Sequence, residues 1–507
     1  MTDIAVIGGV GVFMAIVVGI GLYMSRRIKG SSENFIVAGR NLVLPLAAAT
    51  LMAQSLDTNA TLGNTDLTSQ FGFWAGASLP IGLATCLFIT GVFFAKPLNN
   101  MDLLTVGDFF RVKYGRAVEI AAAATLTVAY AFLLAGNLVA GGFLFEVFLG
   151  TTFLQGVLII SAVIFVYTVA GGLLAVAYTD ILQAFLAFLG SVFLLAYVAT
   201  QFGLVVPDGM GATDTVQLTD PAMGAYVNWA TLAALGLGDV VASDFIERVL
   251  AADSPDTAQK ACFIGSAGTL IIGIPFTYVA LSAESIFDQL GATPTEGDPV
   301  LYDLLNFVPT ELAVLVLVGI VGASLSTGDG AILSTSSVVA RNVLDIRVEA
   351  ESKRKAQGKS DRLLYVTRGL AVPFTILGVV FAVGLPQTGI LLVLAFDLML
   401  AGLFVPFAFG MYWDKANTPA AIAAIALGFT ARIVMFVGKE TIYGQPNTLL
   451  YIPNESIAAI PDGLPTFISF VLSLVVFVPI AYVTQDVSSP EPLPSEAKET
   501  RLLSSDD

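Results

Sequence analysis

Runs of about 20 apolar residues recur along the whole chain, and nothing else in the sequence limits the fold as strongly. A helix needs about 20 predominantly apolar residues to cross the hydrocarbon core of a bilayer. Lipid offers no partner to an open sheet edge or an irregular backbone, so self-satisfied helices are the natural reading of such runs. They occupy Ile4 to Met24 and stretches near 42–65, 73–95, 117–148, 152–172, 178–200, 226–248, 259–285, 311–344, 363–386, 388–412, 417–438 and 464–484. The first run lacks a basic segment before it and is followed by Arg26, Arg27 and Lys29, so it reads as a spanning helix and not as a signal peptide. Of the 507 residues, 56% are hydrophobic and 12% charged, against roughly 25% charged in soluble globular proteins. The expected fold is an all-α polytopic protein of about 13 transmembrane helices, with the lipid bilayer as its solvent.

Several function classes drop out at this stage. There is no histidine, and Cys86 and Cys262 stand alone in apolar runs, so neither a disulfide framework nor a His/Cys metal centre is expected. A formal net charge of −16 excludes a basic nucleic-acid footprint, and acid excess on loops suits salty surroundings. Gly358-Lys359-Ser360 has the end of a phosphate loop, but Lys353 stands where the leading glycine belongs. No stretch outside the apolar runs is long enough for a separate catalytic domain, so an enzyme is not expected. A passive channel and a transporter-like sensor are the remaining rivals to a carrier.

Charge asymmetry sets the expected orientation. Arg26, Arg27, Lys96, Arg111, Lys113, Arg116, Arg347, Lys353, Arg354, Lys355, Lys359 and Arg362 fall on one side. The opposite loops, near 201–225 and 286–310, carry Asp208, Asp214, Asp220, Asp288, Glu296 and Asp298 with no Lys or Arg. The expectation is a multi-pass protein of the cell membrane with its N-terminus outside and its C-terminus in the cytoplasm. From Asp486 onward the chain is rich in Pro, Ser and acid and is expected to be disordered. The expected organisation is an extra helix in 1–30, a core in 31–412, further helices in 413–485 and the tail in 486–507.

Two spans are interrupted by polar residues. The second contains Gln54, Ser55, Asp57, Thr58, Asn59 and Thr61, and the seventh contains Gly236-Leu237-Gly238-Asp239 followed by Ser243 and Asp244. A charge at a helix centre costs about 2.5–3.5 kcal/mol on insertion scales, so these acids mark candidate functional positions. Gly236 and Gly238 also fit a plainer role in close helix packing. The interruptions lie five spans apart, the spacing of two inverted five-helix repeats whose broken helices face a common binding site. The ninth span adds Ala323, Ser326 and Thr327, whose carbonyl and hydroxyls offer three oxygens in a small volume. Such oxygens suit a hard cation, although membrane hydroxyls also bond to their own or neighbouring backbone. Asp57, Asn59, Asp239, Ser243 and Asp244 are the candidate solute contacts. Carboxylates in a narrow dry cavity favour an ammonium or several hydroxyls over a bare carboxylate. Glu247 and Arg248 read as a structural ion pair or loop contact, and Asp397 as a gate residue or, preferred, a protonated core acid.

The order of motifs resembles the sodium:solute symporters. Ser32-Glu33-Asn34-Phe35 with Ala38-Gly39-Arg40 comes first, then Phe109 to Gly115. Tyr167-Thr168-Val169-Ala170-Gly171-Gly172 followed by Ala175 to Asp180 and Gln183 is the most diagnostic stretch. Glu247 to Asp253, the Ala323/Ser326/Thr327 segment, and Pro406 to Trp413 with Lys415 complete the set, over roughly residues 30–430. The resemblance implies a five-plus-five inverted-repeat core of the leucine-transporter type, with broken helices 2 and 7, and symport of sodium with a small solute by alternating access. It also implies a sodium site made of the backbone oxygens of Ala53, Leu56 and Ala323 and the hydroxyls of Ser326 and Thr327. Asp180 matches an acid on the intracellular sodium pathway; a helix N-terminal acid favoured by the helix dipole is the alternative. Asp329 to Ser334 leading to Ala340-Arg341-Asn342 is most similar to the high-affinity choline transporter branch. Yet Trp74, Trp229 and Trp413 lie outside the broken segments, where an aromatic cage for a quaternary ammonium would be needed. Some proline-transporting relatives carry an acid at the position of Ser55, whereas here the nearby acid is Asp57.

Overall fold

The computed structural model describes residues 4–295, 298–347, 361–386, 390–442, 445–447 and 450–485. Glu296, Lys353, Arg354, Lys355, Gly358, Lys359, Ser360, the tail from Asp486 and the side chain of Asn59 lie outside the described set.

The principal helices, numbered in chain order, begin with α1 Ile4–Met24, α2 Leu44–Ser55, α3 Asn64–Phe71 and α4 Phe73–Ile89. They continue through α5 Val106–Tyr114, α6 Arg116–Leu149, α7 Phe153–Gln201, α8 Ala225–Leu237 and α9 Ser243–Ala251. The remainder are α10 Pro255–Leu281, α11 Thr310–Val338, α12 Arg362–Gly384, α13 Ile390–Met399, α14 Val405–Tyr412, α15 Thr418–Val437 and α16 Leu464–Val483. Among the described residues, ten helices are long and apolar enough to cross a membrane, or eleven with the bent α8/α9 pair, a count that does not confirm the expected thirteen. The difference has a physical origin. No loop separates the expected fifth and sixth spans: α7 runs for 49 residues and changes direction at Gly172, with φ 53° and ψ −154°. That left-handed conformation, and a Phe35 carbonyl oxygen where a Cβ would sit, require glycine there. The expected second span is divided into α2 of 12 residues and α3 of 8, each too short to cross alone.

α6, α7 and α11 form the centre of the bundle, with α1 packed on α7, α12 and α13 on α6, and α15 paired with α16. The two interrupted helices are joined at one end. Leu42 donates its N–H to the Ala251 carbonyl (3.0 Å), and Asp253 returns a bond to the Leu42 carbonyl (3.1 Å). The same end carries Arg111, Arg116 and Arg347 of the basic residues foreseen in the sequence. There the buried Asp108 accepts from Arg341 (2.6 Å) and Arg347 (2.9 Å), and the fully buried Glu119 accepts from Arg111, Arg116, Arg347 and Asn342. These bonds fasten the end of α11 to α5 and α6. Asp345, in the loop just beyond, is held below the usual carboxylate range by its hydrogen bond from the Arg347 guanidinium.

The surroundings of two acids narrow their expected readings. Asp397 is not isolated in the apolar core: Arg432 of α15 donates to one of its oxygens through Nη2 (2.5 Å) and Nε (2.9 Å). Nor is Asp180 a helix N-terminal acid. It sits well inside the second arm of α7, two turns beyond Gly172, where the dipole of the helix end has faded.

Candidate functional site

Helix α2 ends where Leu56 leaves helical geometry (φ −91°, ψ 63°), and its N–H closes back on the Ala53 carbonyl at 3.2 Å. Asp57 then turns its carboxylate onto the Ala60 N–H (2.9 Å), and the chain passes through a π-helical turn at Asn59–Gly63 into α3. In the second break, α8 gives way to a 3-10 turn at Gly238–Val241 and an extended Ala242 before α9 starts, with a bend of 49°. Gly238 needs to be glycine, because a Cβ there would strike the Phe396 carbonyl of α13; Gly236 has no such crowding. Close packing and the interruption therefore coincide at one residue.

The expected sodium ligands gather where α11 crosses the first break. Ser326 Oγ bonds to the Ala53 carbonyl (2.9 Å) and to the Ala323 carbonyl (3.1 Å), joining two helices through one hydroxyl. Thr327 Oγ1 reaches the Gln54 carbonyl at 3.4 Å, one residue beyond Ala53, and Leu56 meets this group through its backbone bond to Ala53. Carbonyl and hydroxyl oxygens without a carboxylate form a neutral, hard donor set, and all five residues are buried.

Next to it lies an ionic centre that sequence reasoning did not assemble. Arg248 of α9 is fully buried, with its guanidinium 3.5 Å from Asp180 of α7 and 3.7 Å from Asp329 of α11. It also donates through Nε to Thr50 of α2 (2.9 Å) and through Nη1 to the Asp244 carbonyl (3.1 Å). Thr50 bonds in turn to Asp180, and Tyr167 donates to Asp329 (2.5 Å) and the Leu325 carbonyl (3.0 Å). Four helices thus meet on one guanidinium. The expected Glu247–Arg248 pair does not form. Glu247 instead accepts from Ser334 (2.8 Å), Ser337 (2.8 Å) and Ser243 (3.3 Å), because neighbours on a helix point in different directions.

Of the expected solute contacts, Asp57 is buried at the first break and Asp239 and Asp244 at the second, and a bond from Gln54 to Asp244 joins the two. Ser243 does not join them, since its hydroxyl faces Glu247. Asp244 is held by Tyr130 of α6 (2.6 Å) and by Gln54 of α2 (2.5 Å). Gln54 was visible as a polar residue in an apolar run, while a lone tyrosine in α6 carried no signal. The three tryptophans are elsewhere: Trp74 and Trp229 donate to the Ala212 and Leu218 carbonyls, and Trp413 packs on Phe409, Phe477 and Tyr482.

The model of the sodium:solute symporter family matches residues 35–428. The human high-affinity choline transporter 1 is 26% identical over 467 residues, covering 87% of this chain and 78% of that protein. A sodium/glucose cotransporter of Vibrio parahaemolyticus is 25% identical over 460 residues, 82% of each. Among solved structures, a Na+-coupled sialic acid symporter in a substrate-bound outward-open state superposes with a TM-score of 0.74 at 14% identity, over 97% of this chain and 100% of that one. The nucleobase-cation-symport-1 transporter Mhp1, closed on bromovinylhydantoin, follows at 0.53 and 13% identity, over 90% of this chain and 96% of its own. These likenesses establish a leucine-transporter-type fold in a multi-span membrane protein with a transport role. Two broken helices facing a hydroxyl-bearing third, and a family match across the whole of that core, lead to one conclusion: the chain belongs to the sodium:solute symporter family.

Proposed function

We propose that the protein imports a small polar organic solute, of the amino acid or betaine/choline-like kind, together with sodium by alternating access. The carrying observation is the Ser326 hydroxyl, which bridges the Ala53 and Ala323 carbonyls and so ties α11 to the first break. On this reading sodium is bound by the carbonyl oxygens of Ala53, Leu56 and Ala323 and the hydroxyls of Ser326 and Thr327. The bound ion braces α11 against α2. Its loss toward the cytoplasm, past Asp180, removes that brace and opens the inner path. The solute lies between the breaks, against Asp57, Asn59, Asp239 and Asp244, with Ser243 nearby.

The driving force is adequate. One inward positive charge gains about 2.3 kcal/mol per 100 mV, and a tenfold sodium gradient adds about 1.4 kcal/mol. Together they sustain a solute gradient on the order of several hundredfold. The orientation that fits is N-terminus outside and C-terminus cytoplasmic, in the cell membrane, with 31–412 as the moving core, 1–30 and 413–485 as flanking helices, and the tail from 486 in the cytoplasm. The test is uptake into proteoliposomes of radiolabelled amino acids, betaines and polyols under an inward sodium gradient. Accumulation that collapses when potassium replaces sodium is expected. Uptake indifferent to sodium, whether proton-driven or passive, would overturn the reading.

A further inference from the structure

The protein itself engages two of the three carboxylates at the breaks. Asp57 Oδ1 takes the Ala60 N–H at 2.9 Å. Asp244 is engaged on both oxygens, by the Tyr130 hydroxyl (2.6 Å) and Phe245 N–H (2.9 Å) on Oδ1 and by the Gln54 amide (2.5 Å) on Oδ2. Asp239 is different. It stands on the 3-10 turn between α8 and α9, is 1% exposed, and neither of its oxygens has a hydrogen-bond donor among the described residues. The carboxylates that act on it, Asp244 and Asp57, carry its own sign, and Arg248 is turned away toward Asp180 and Asp329.

We propose that Asp239 anchors the transported solute, and that this solute is a small organic cation with N–H donors, an ammonium or a guanidinium, in preference to a quaternary ammonium. The proposal rests on the symport reading for the location of the solute and narrows its chemistry. A buried ionised carboxylate requires both an opposing charge and hydrogen-bond donors. Its neutral form would bury an O–H that itself needs an acceptor. Water supplies donors but no charge. A quaternary ammonium supplies charge but presents only methyl groups, which proteins recognise with aromatic faces; the tryptophans here are held away from the breaks by other contacts. An N–H-bearing cation supplies both, and three neighbouring acids repel an anion from the same place.

The experiment is equilibrium binding to the purified full-length protein in saturating sodium, with matched radiolabelled pairs: ethanolamine against choline, and putrescine against its bis-trimethylammonium counterpart. Each pair keeps the carbon skeleton and exchanges N–H for N–CH3. At least one amine is expected to bind about tenfold or more tighter than its methylated partner, because a site built for N–H donors rejects the analogue without them. Asp239→Asn, nearly the same shape, is expected to abolish that preference while sodium binding is kept, and Asp239→Glu to retain part of it. A methylated partner that binds as well or better, a preference that survives Asp239→Asn, or no binding of either amine would overturn the proposal. Should Asp239→Asn fail to fold, the wild-type ratios decide alone. The assay does not read coupling, so an Asp239-dependent preference without sodium-driven uptake would sink the symport reading and leave this one standing.

Discussion

Arg248 is a single guanidinium set among Asp180, Asp244 and Asp329, all essentially without solvent contact. Its removal leaves Asp180 and Asp329 without an opposing charge among the described residues, and breaking a buried pair in this way costs about 3–5 kcal/mol. Arg248→Met is therefore expected to lower the melting temperature of the purified protein markedly. Arg248→Lys keeps the charge but loses the Nε bond to Thr50, and should recover only part of the loss. Unchanged melting of Arg248→Met would contradict this role. The sequence revealed the members of this centre one at a time, because each is a polar residue in an apolar run. Their pairing was hidden, since Asp180, Arg248 and Asp329 come from α7, α9 and α11 and no local pattern says which helices touch. The same reason explains Asp397, which looked like an isolated acid until α15 placed Arg432 against it.

At the scale of elements, the two broken helices were legible because lipid makes polar interruptions conspicuous. The two arms of α7, expected as separate spans at 152–172 and 178–200, form one continuous element, because the turn at Gly172 needs no polar loop. One glycine in left-handed geometry turns the chain while helical hydrogen bonding runs almost unbroken on both sides. Gly172→Ala is expected to be severely disruptive, combining a strained backbone with a collision against the Phe35 carbonyl. Size-exclusion profiles of membrane-extracted protein check this: loss of the monodisperse species is expected, and a wild-type profile would contradict it. The Leu42–Ala252 bridge has a related consequence. It pins α2 and α9 together at the basic end of the molecule, so relative motion of the two breaks has to be absorbed above that point, in Leu56–Thr58 and the Gly238–Ala242 turn.

For the whole molecule, the distribution of charge separates two ends. The basic end is locked by Asp108 and Glu119 and their arginine partners, which join α11 to α5 and α6. Across the boundary expected between core and C-terminal helices, Asp397 of α13 and Arg432 of α15 form an ion pair that makes α15 a buttress of the core. Arg432→Met alone is expected to destabilise the protein by about 3–5 kcal/mol, while Asp397→Leu/Arg432→Met together should return stability close to wild type, since an apolar pair replaces a desolvated ionic one. Denaturant unfolding of the three proteins checks the comparison, and equal losses in single and double variants would contradict it.

The central claim is that sodium joins α11 to the first break through Ala53, Leu56, Ala323, Ser326 and Thr327. Radiolabelled sodium binding to the purified protein at constant ionic strength tests it most directly, with wild type set against Ser326→Ala/Thr327→Ala. Saturable binding in the wild type and its loss in the double variant, with melting behaviour retained, is the result this account expects. No sodium binding by the wild type, or undiminished binding by the variant, would contradict it.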